Sequence, residues 1–301
     1  MILVTGGTGV IGSKLVKGLL NKGRKVRVLA LPGDPNISNI KDLKCEIVYR
    51  DITDYDSLKS VCKGVKALYH MAAIIISNIK EEIWKINVVG TENIINCALE
   101  AEVEHFIYIS SIAADWPQGS DYAKSKVATE ELVKSRKEMK YTIIRPSLIY
   151  GPGGGQEFMM FSKYLKKYLI VPFIGRGNAN KNPVFVDDIA KGLLSVLDNR
   201  KTYNKTYIFN GGEEISIYNL ARLILKSQGM SKPFIFIPVS LWKFIAFILD
   251  KTMKNPPFNQ YTISRITHDI IFNNTDAQKD LGYDPISISE GIVNVFSNSE
   301  K

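Results

Sequence analysis

The first 145 residues alternate short apolar runs with amphipathic segments, and this alternation constrains the fold more than any other feature of the chain. Met1–Val4 is an apolar run, and Gly12–Lys22 places Leu15, Leu19 and Leu20 at helical spacing. Lys25–Leu31, Cys45–Tyr49 and Ala67–His70 read as the next strands, with a short helix over Asp54–Val61 between the last two. A longer helix over Glu81–Ala101, the strand His105–Ile109, a helix over Asp121–Arg136 and the strand Tyr141–Arg145 complete the series. Strands separated by helices pair in parallel through right-handed crossovers, so the pattern predicts an α/β doubly wound sheet of the Rossmann type.

The pattern changes after Tyr150. Gly151-Pro152-Gly153-Gly154-Gly155 suits no helix or strand interior, and the remainder is mostly helical, over 156–165, 187–197, 217–227, 241–253 and 288–296. Thr206–Asn210 still reads as a strand. The expected organisation is a dinucleotide-binding domain over 1–150, with 178–212 returning to it. A smaller, mostly helical substrate domain over 151–177 and 213–301 is interleaved with it.

Thr5-Gly6-Gly7-Thr8-Gly9-Val10-Ile11-Gly12 lies between the first strand and the first helix. Gly6 permits the tight turn, Gly9 lets a pyrophosphate approach the backbone, and Gly12 lets helix and strand pack closely. The anion would rest on the free N–H groups at Val10 and Ile11, where the helix begins. Downstream, Tyr122 and Lys126 stand four apart, on one face of a helix. Ser110-Ser111 ends a strand, where side chains of such sheets reach the ligand crevice.

Together these motifs resemble the extended short-chain dehydrogenase/reductase superfamily, specifically its NAD-dependent epimerase/dehydratase family. Other pieces in the family's order are Asp51-Ile52, His70-Met71-Ala72-Ala73, Asn87-Val88-Val89-Gly90-Thr91, Arg145-Pro146, Phe185-Val186-Asp187-Asp188 and Leu281-Gly282-Tyr283. A tyrosine hydroxyl titrates near pH 10, too high for a base at neutral pH, and a lysine ammonium beside it favours the phenolate. The resemblance therefore implies Tyr122 as the proton carrier, Lys126 as its electrostatic partner and Ser111 as the hydrogen-bond donor to the reacting oxygen. Ser110 is the alternative if the register shifts by one. Asp51 and Ile52 would lie at the adenine and Ala72 along the cofactor, while His70 reads as structural. The cofactor is expected to be NAD, with NADP still open. The second strand ends in Leu29-Ala30-Leu31, with neither the acid that holds a ribose diol nor an arginine for a 2′-phosphate, and Asp34 lies beyond Pro32-Gly33.

Departures from the family narrow the reaction. Ile112-Ala113 stands where sugar-nucleotide dehydratases carry Asp-Glu, and only about ten residues separate Ser111 from Tyr122. Lys181 replaces an arginine that relatives use on a substrate diphosphate, and Arg265 is a second candidate for that phosphate. A point charge lacks the bidentate fork of a guanidinium.

A formal net charge of +9 asks for an anionic partner. It comes mostly from scattered lysines without a basic run, which argues against nucleic acid. Three cysteines without a C-x-x-C pair point to a reduced, cytoplasmic protein, and no signal peptide is expected ahead of a chain whose first residues are already strand. The apolar stretch Phe234–Leu249 is interrupted by Pro238 and Lys243 and is too short for a membrane span. It reads as core of the small domain, with the lining of an apolar substrate site, or a membrane-surface anchor aided by Lys232, Lys251 and Lys254, as lesser alternatives.

The leading expectation is a nucleotide-sugar epimerase or ketoreductase, NAD(P)-dependent and homodimeric through the helices over 87–101 and 121–136. The first alternative is a reductase of the 3β-hydroxysteroid or dihydroflavonol type acting on an apolar or polyprenoid-linked substrate. The second is a non-catalytic cofactor-binding sensor or assembly subunit.

Overall fold

The computed structural model describes residues 1–77, 79–116, 118, 120–253 and 260–297; Lys254 lies outside them. In chain order the strands are β1 Ile2–Thr5, β2 Val26–Ala30, β3 Glu46–Tyr49, β4 Ala67–His70, β5 His105–Ile109, β6 Lys140–Pro146, β7 Ile149–Tyr150, β8 Val171–Ile174, β9 Asn180–Lys181, β10 Val184–Phe185, β11 Lys205–Phe209, β12 Ile215–Ser216 and β13 Phe234–Ile237. The α-helices are α1 Val10–Asn21, α2 Tyr55–Leu58, α3 Lys80–Trp84, α4 Gly90–Glu100, α5 Asp121–Ser135, α6 Gln156–Lys167, α7 Val186–Val196, α8 Ile217–Ser227, α9 Val239–Thr252, α10 Gln260–Thr267, α11 Thr275–Leu281 and α12 Ile288–Ser297.

The chain divides into two compact units, Met1–Pro146 with Asp187–Phe209 and Asn274–Asp284, and Ser147–Val186 with Asn210–Asn273 and Pro285–Lys301. The first unit is built on a seven-stranded sheet in the order β11-β6-β5-β4-β1-β2-β3, every pair parallel. This is the doubly wound Rossmann architecture. Its strands are nearly continuous apolar runs because helices cover both faces; Ile2–Thr5, Ala67–His70 and His105–Ile109 are buried throughout. One core cluster joins Leu3, Leu68, Phe106 and Ile143 of the sheet to Leu58, Ile94, Ile95 and Ala98 of the helices.

Strand order reverses between β1 and β4, which pair with Thr5 opposite His70. Ligands of such sheets bind beyond the carboxyl ends of the strands at that reversal. The segments leaving those two strands, Gly6–Gly9 and Met71–Ala73, are therefore the ones the topology delivers to a ligand.

The division differs from the expected one in both directions: 147–150, 178–186 and 210–212, expected with the dinucleotide-binding domain, group with the second unit, whereas Asn274–Asp284, expected in the substrate domain, groups with the first. α11 closes the sheet's β11 edge: Tyr283 stacks on Phe209 at 4.5 Å, and Asp280 accepts from Tyr207 and Lys205, each at 2.7 Å. An exposed edge strand is a pairing hazard, and this cover removes it.

The second unit has its own core, in which Phe158 and Leu165 of α6, Leu220 and Ile224 of α8, and Ile288 and Ile292 of α12 surround Tyr150, Phe173 and Phe185. Among the described residues it has three sheets, each two-stranded. The apolar stretch over Phe234–Leu249 splits at Pro238 into β13, parallel to β8, and α9; it is not core as expected, because Ala246 alone of its residues is buried and Ile235, Phe236, Leu241, Phe244, Phe247 and Ile248 are exposed.

Candidate active site

Glycine is required at two positions of the β1–α1 turn for steric reasons. Gly6 has φ of +68°, and a Cβ there would meet the backbone of Met71 and Ala72 at 2.8 Å. A Cβ on Gly12 would stand 2.1 Å from the Gly6 carbonyl. Gly9 differs, because its nearest neighbour to an added Cβ is the Gly6 oxygen at 3.4 Å. The space above Gly9 is open, and a side chain would fill it. α1 starts there without a side-chain cap and without an acid in its first turn. The N–H groups of its first turn, at Val10 and Ile11, have no intrahelical acceptor. This cradle fits a pyrophosphate, held by backbone donors and the positive end of the helix.

The loop from β2 returns to this turn. Thr8 Oγ1 donates to Asp34 Oδ2 at 2.6 Å, and Asn39 Nδ2 donates to the Thr8 carbonyl at 2.9 Å. Asp34, four residues beyond the strand end, is thereby held at this turn, its Oδ1 accepting from Asn36 N at 2.8 Å. Asp51 is exposed and makes an Asx turn, accepting from Thr53 N at 2.8 Å. Ile52 is turned inward against Gly90, and its carbonyl accepts from Asn93.

A row of register partners crosses the sheet at its carboxyl end: Thr5 opposite His70, and His70 opposite Tyr108. The Thr91 hydroxyl donates to the Asn87 carbonyl at 2.5 Å, so it accepts from Nε2–H of His70 at 2.8 Å. His70 Nδ1 then accepts from the Thr5 hydroxyl at 2.7 Å, while Thr5 Oγ1 itself accepts from the N–H groups of Met71 and Ala72. Burial, with the Lys126 charge nearby, lowers the His70 pKa to about 3. His70 is therefore a neutral, fully satisfied strut that positions the loop carrying Ala72.

Ser120 caps α5 by accepting from Ala123 N at 3.1 Å, which fixes the first turn that bears Tyr122. One turn on, Lys126 is 3% exposed. Its ammonium donates to the Ile109 carbonyl at 2.9 Å and to Tyr108 Oη at 3.1 Å, and lies 5.7 Å from the centre of the Tyr122 ring. Burial lowers its pKa to about 7 against the raising influence of Glu130. Burial also holds Tyr108 well above the ordinary phenol value, so it serves Lys126 as a neutral acceptor.

The two serines have different partners. Ser110 is buried and donates to Glu130 Oε1 at 2.6 Å. Ser111 accepts from Ala113 N at 3.1 Å as the cap of a short 3₁₀ turn over Ile112–Asp115, and its own hydroxyl hydrogen is not spent in that bond. Arg145 anchors this turn: Nε and Nη2 reach the two oxygens of Glu130, each at 2.7 Å, and Nη1 reaches Asp115 at 2.6 Å. Burial raises the Glu130 carboxyl, but the Arg145 and Ser110 hydrogen bonds outweigh it and hold the pKa below the ordinary value.

Asn87 was noted in the sequence only as part of a motif. It sits in a π-helical turn over Lys85–Val89 that joins α3 to α4. Its side chain accepts from Ile74 N and donates to Ile74 O, both at 2.9 Å, and donates to Ser125 Oγ at 3.0 Å. It therefore clamps the loop after β4 to α5. Single π-turns are frequent where function needs a side chain re-aimed.

The model of the NAD dependent epimerase/dehydratase family matches residues 2–212. The chain belongs to this family. It is accordingly an NAD-dependent enzyme of the oxidoreductase and epimerase type, and the open cradle at Gly9 fits the NAD pyrophosphate. Among its relatives is a 3 beta-hydroxysteroid dehydrogenase/Delta 5→4-isomerase of Mycobacterium tuberculosis, 27% identical, with 95% of this chain and 86% of that protein covered. A UDP-glucose 4-epimerase of Vibrio cholerae is 26% identical over 82% of this chain and 80% of its own length. The solved structure of gox2253 superposes with a TM-score of 0.85 at 28% identity, covering 99% of this chain and 97% of that one.

The candidate phosphate-binding residues Lys181 and Arg265 lie in the second unit. Lys181 Nζ donates to the carbonyls of Arg265, at 2.7 Å, and of His268. The residue is 8% exposed, and burial lowers its pKa to about 8. Arg265 Nη1 pairs with Glu157 Oε1 at 3.2 Å.

Proposed function

We propose that the chain is an NAD-dependent dehydrogenase or reductase acting on a secondary alcohol or ketone of a bulky apolar substrate. The observation that carries the reading is the Lys181 ammonium, which is buried and donates to two backbone carbonyls. A cation so engaged is poorly placed to neutralise a diphosphate, because the phosphate would have to displace both carbonyls. The pairing of Arg265 with Glu157 supports the same choice, as does the relative that acts on 3β-hydroxysteroids.

Within this proposal Tyr122 passes the proton to or from the substrate oxygen, and Ser111 donates its free hydroxyl hydrogen to that oxygen. While it holds its proton, Lys126 biases Tyr122 toward the phenolate with its charge. NAD supplies the hydride acceptor or donor. Gly6, Gly9 and Gly12 shape its pyrophosphate site with the Val10 and Ile11 N–H groups, Ala72 lines it, and Asp34 favours a ribose diol over a 2′-phosphate by like-charge repulsion. For the adenine, Asp51 offers the carboxylate oxygen that its turn does not use, and Ile52 is restricted to backbone contact.

A second reading, a nucleotide-sugar epimerase, is favoured by the epimerase relative and requires Lys181 to leave its carbonyls. We also take as part of the proposal a reducing, cytoplasmic location, in keeping with three free cysteines. A homodimer through the helices over 87–101 and 121–136 is included as well, with Val89 exposed on the first of them. The substrate class is tested by supplying NAD with 3β-hydroxysteroids, long-chain secondary alcohols or UDP-glucose and following absorbance at 340 nm and product sugars. Net NADH from an apolar alcohol is the expected outcome. Interconversion of the UDP-sugar without net NADH would overturn it in favour of the epimerase.

A further inference from the structure

Helix α9 has two apolar faces, and only one is used. Trp242, Ile245, Ala246 and Leu249, at i, i+3, i+4 and i+7, are the more buried residues and form the inward stripe. The opposite side presents Leu241, Phe244, Phe247 and Ile248, with Phe244 61% exposed. The strand leading into the helix adds exposed Ile235 and Phe236, and the start of its partner β8 is preceded by Leu169, 89% exposed, and Ile170. Scattered exposed apolar residues need no explanation, but a concentration of large ones on one helix and its feeding strand marks an interaction surface.

Lysines surround this surface, although α9 also carries Asp250. Lys243 and Lys251 are exposed on α9, and Lys251 Nζ lies over the Phe247 ring at 4.4 Å, in the manner of a lysine whose stem lies along apolar surface. The last turns of α6, just before Leu169, expose Lys163, Lys166 and Lys167. Lys232, two residues before β13, donates to the carbonyls of Leu165, Lys166 and Tyr168 and so ties the two segments together. Between α8 and β13 runs an open groove of about 640 Å³, lined by Tyr218, Phe234 and Phe236 and by the cations Arg222 and Lys226, with no acid in its lining; Lys232 also lines it, but its ammonium is taken up by three carbonyls.

We propose that this face of the second unit docks on an anionic phospholipid bilayer, with the outer apolar side chains of α9 in the interface and the cationic groove receiving lipid phosphates. No helix among the described residues is long and apolar enough to cross a membrane, so the contact is peripheral. Charge complementarity selects this occupant over a second copy of the chain. A two-fold contact would set these lysines against themselves. An anionic leaflet instead attracts them, with each lysine near the surface worth about a fivefold gain in partitioning. The proposal concerns the second unit's own surface and stands whichever substrate the first unit's chemistry serves.

Sedimentation of the full-length protein with vesicles tests it. Vesicles of equal parts phosphatidylglycerol and phosphatidylcholine should bind the protein at least about tenfold better than phosphatidylcholine alone, and raising the salt should weaken that binding. The double substitution Phe244→Asp/Phe247→Asp, on an exposed face, should abolish binding while NAD affinity is unchanged. Arg222→Glu/Lys226→Glu should remove the preference for phosphatidylglycerol. Wild-type protein that stays in solution with both vesicles overturns the proposal, as does vesicle binding that survives the phenylalanine changes. A concentration-dependent dimer, seen by analytical ultracentrifugation and dissolved by those same changes, would assign the face to a second copy and overturn it equally.

Discussion

Replacing Lys126 by Met should make the fold's response to pH flatter, by an amount that follows from burial. The ammonium is 3% exposed, and its pKa falls from 10.5 to about 7 in the folded, NAD-free protein. Between those values the unfolded chain holds a proton that the folded chain lacks, so raising the pH in that window stabilises the fold. Below pH 7 both states are protonated, and the full cost of the buried charge is felt without further slope. At 1.36 kcal/mol per pKa unit, the part of that cost relieved between pH 7 and pH 9 is about 2 kcal/mol, an upper figure for one side chain. Methionine has similar length and no proton to lose. It leaves the Ile109 carbonyl and the Tyr108 hydroxyl without their donor, but that loss is the same at both pH values. Lys181, whose pKa is also lowered, is present in both proteins and cancels. Urea unfolding of wild type and Lys126→Met at pH 7 and pH 9 gives four free energies. The wild type should gain about 2 kcal/mol more than the variant over that interval. Parallel changes in the two proteins would refute a buried ammonium with a depressed pKa.

Other substitutions separate cofactor binding from folding. Gly9→Val fills open space and should weaken NAD binding by more than about tenfold with little change in Tm, whereas Gly12→Val meets the Gly6 carbonyl and should lower Tm as well. Isothermal titration and thermal unfolding distinguish them, and equal losses of Tm would count against the open cradle. Asp34→Ala should raise the affinity for NADP relative to NAD, read from the two dissociation constants; an unchanged ratio would remove Asp34 from the ribose site. Arg145→Met leaves the Glu130 carboxylate in a buried setting without its bidentate partner and should cost about 3–5 kcal/mol in urea unfolding. Adding Glu130→Met should recover part of that loss, and strictly additive losses would show that the pair is not the reason.

The doubly wound sheet was legible because its strands are apolar runs and its helices amphipathic, both local signals. The glycine turn was legible for a related reason: each glycine meets a steric demand set within a few residues, as at Gly12 against Gly6, or at a strand neighbour, as at Gly6 against Ala72. Side-chain direction was not legible. Ser110 and Ser111 are adjacent at a strand end, where a shift of one residue exchanges faces, and only the Glu130–Arg145 pair, contributed by α5 and β6, shows which hydroxyl is committed. Asp34 stands four residues beyond the strand end, and its return to Thr8 depends on a loop whose path no periodicity records. Tyr108 and Asn87 carry no local signal of their roles, because the partners that define them, Lys126 and Ile74, come from other parts of the chain. The resemblance places Lys181 at a substrate diphosphate, whereas the carbonyls that take up its ammonium come from a segment more than eighty residues away.

The central claim is that Tyr122, biased by Lys126, carries the proton that accompanies hydride transfer to NAD. Rapid mixing of the NAD-loaded protein with whichever alcohol turns over, followed at 340 nm, tests it most directly in wild type and Tyr122→Phe. Wild type should give a burst of NADH approaching one per site. In Tyr122→Phe, which retains the ring and lacks only the hydroxyl, the burst should slow by roughly 10²–10⁴-fold while the NAD dissociation constant holds. A burst of unchanged rate in that variant would contradict the account.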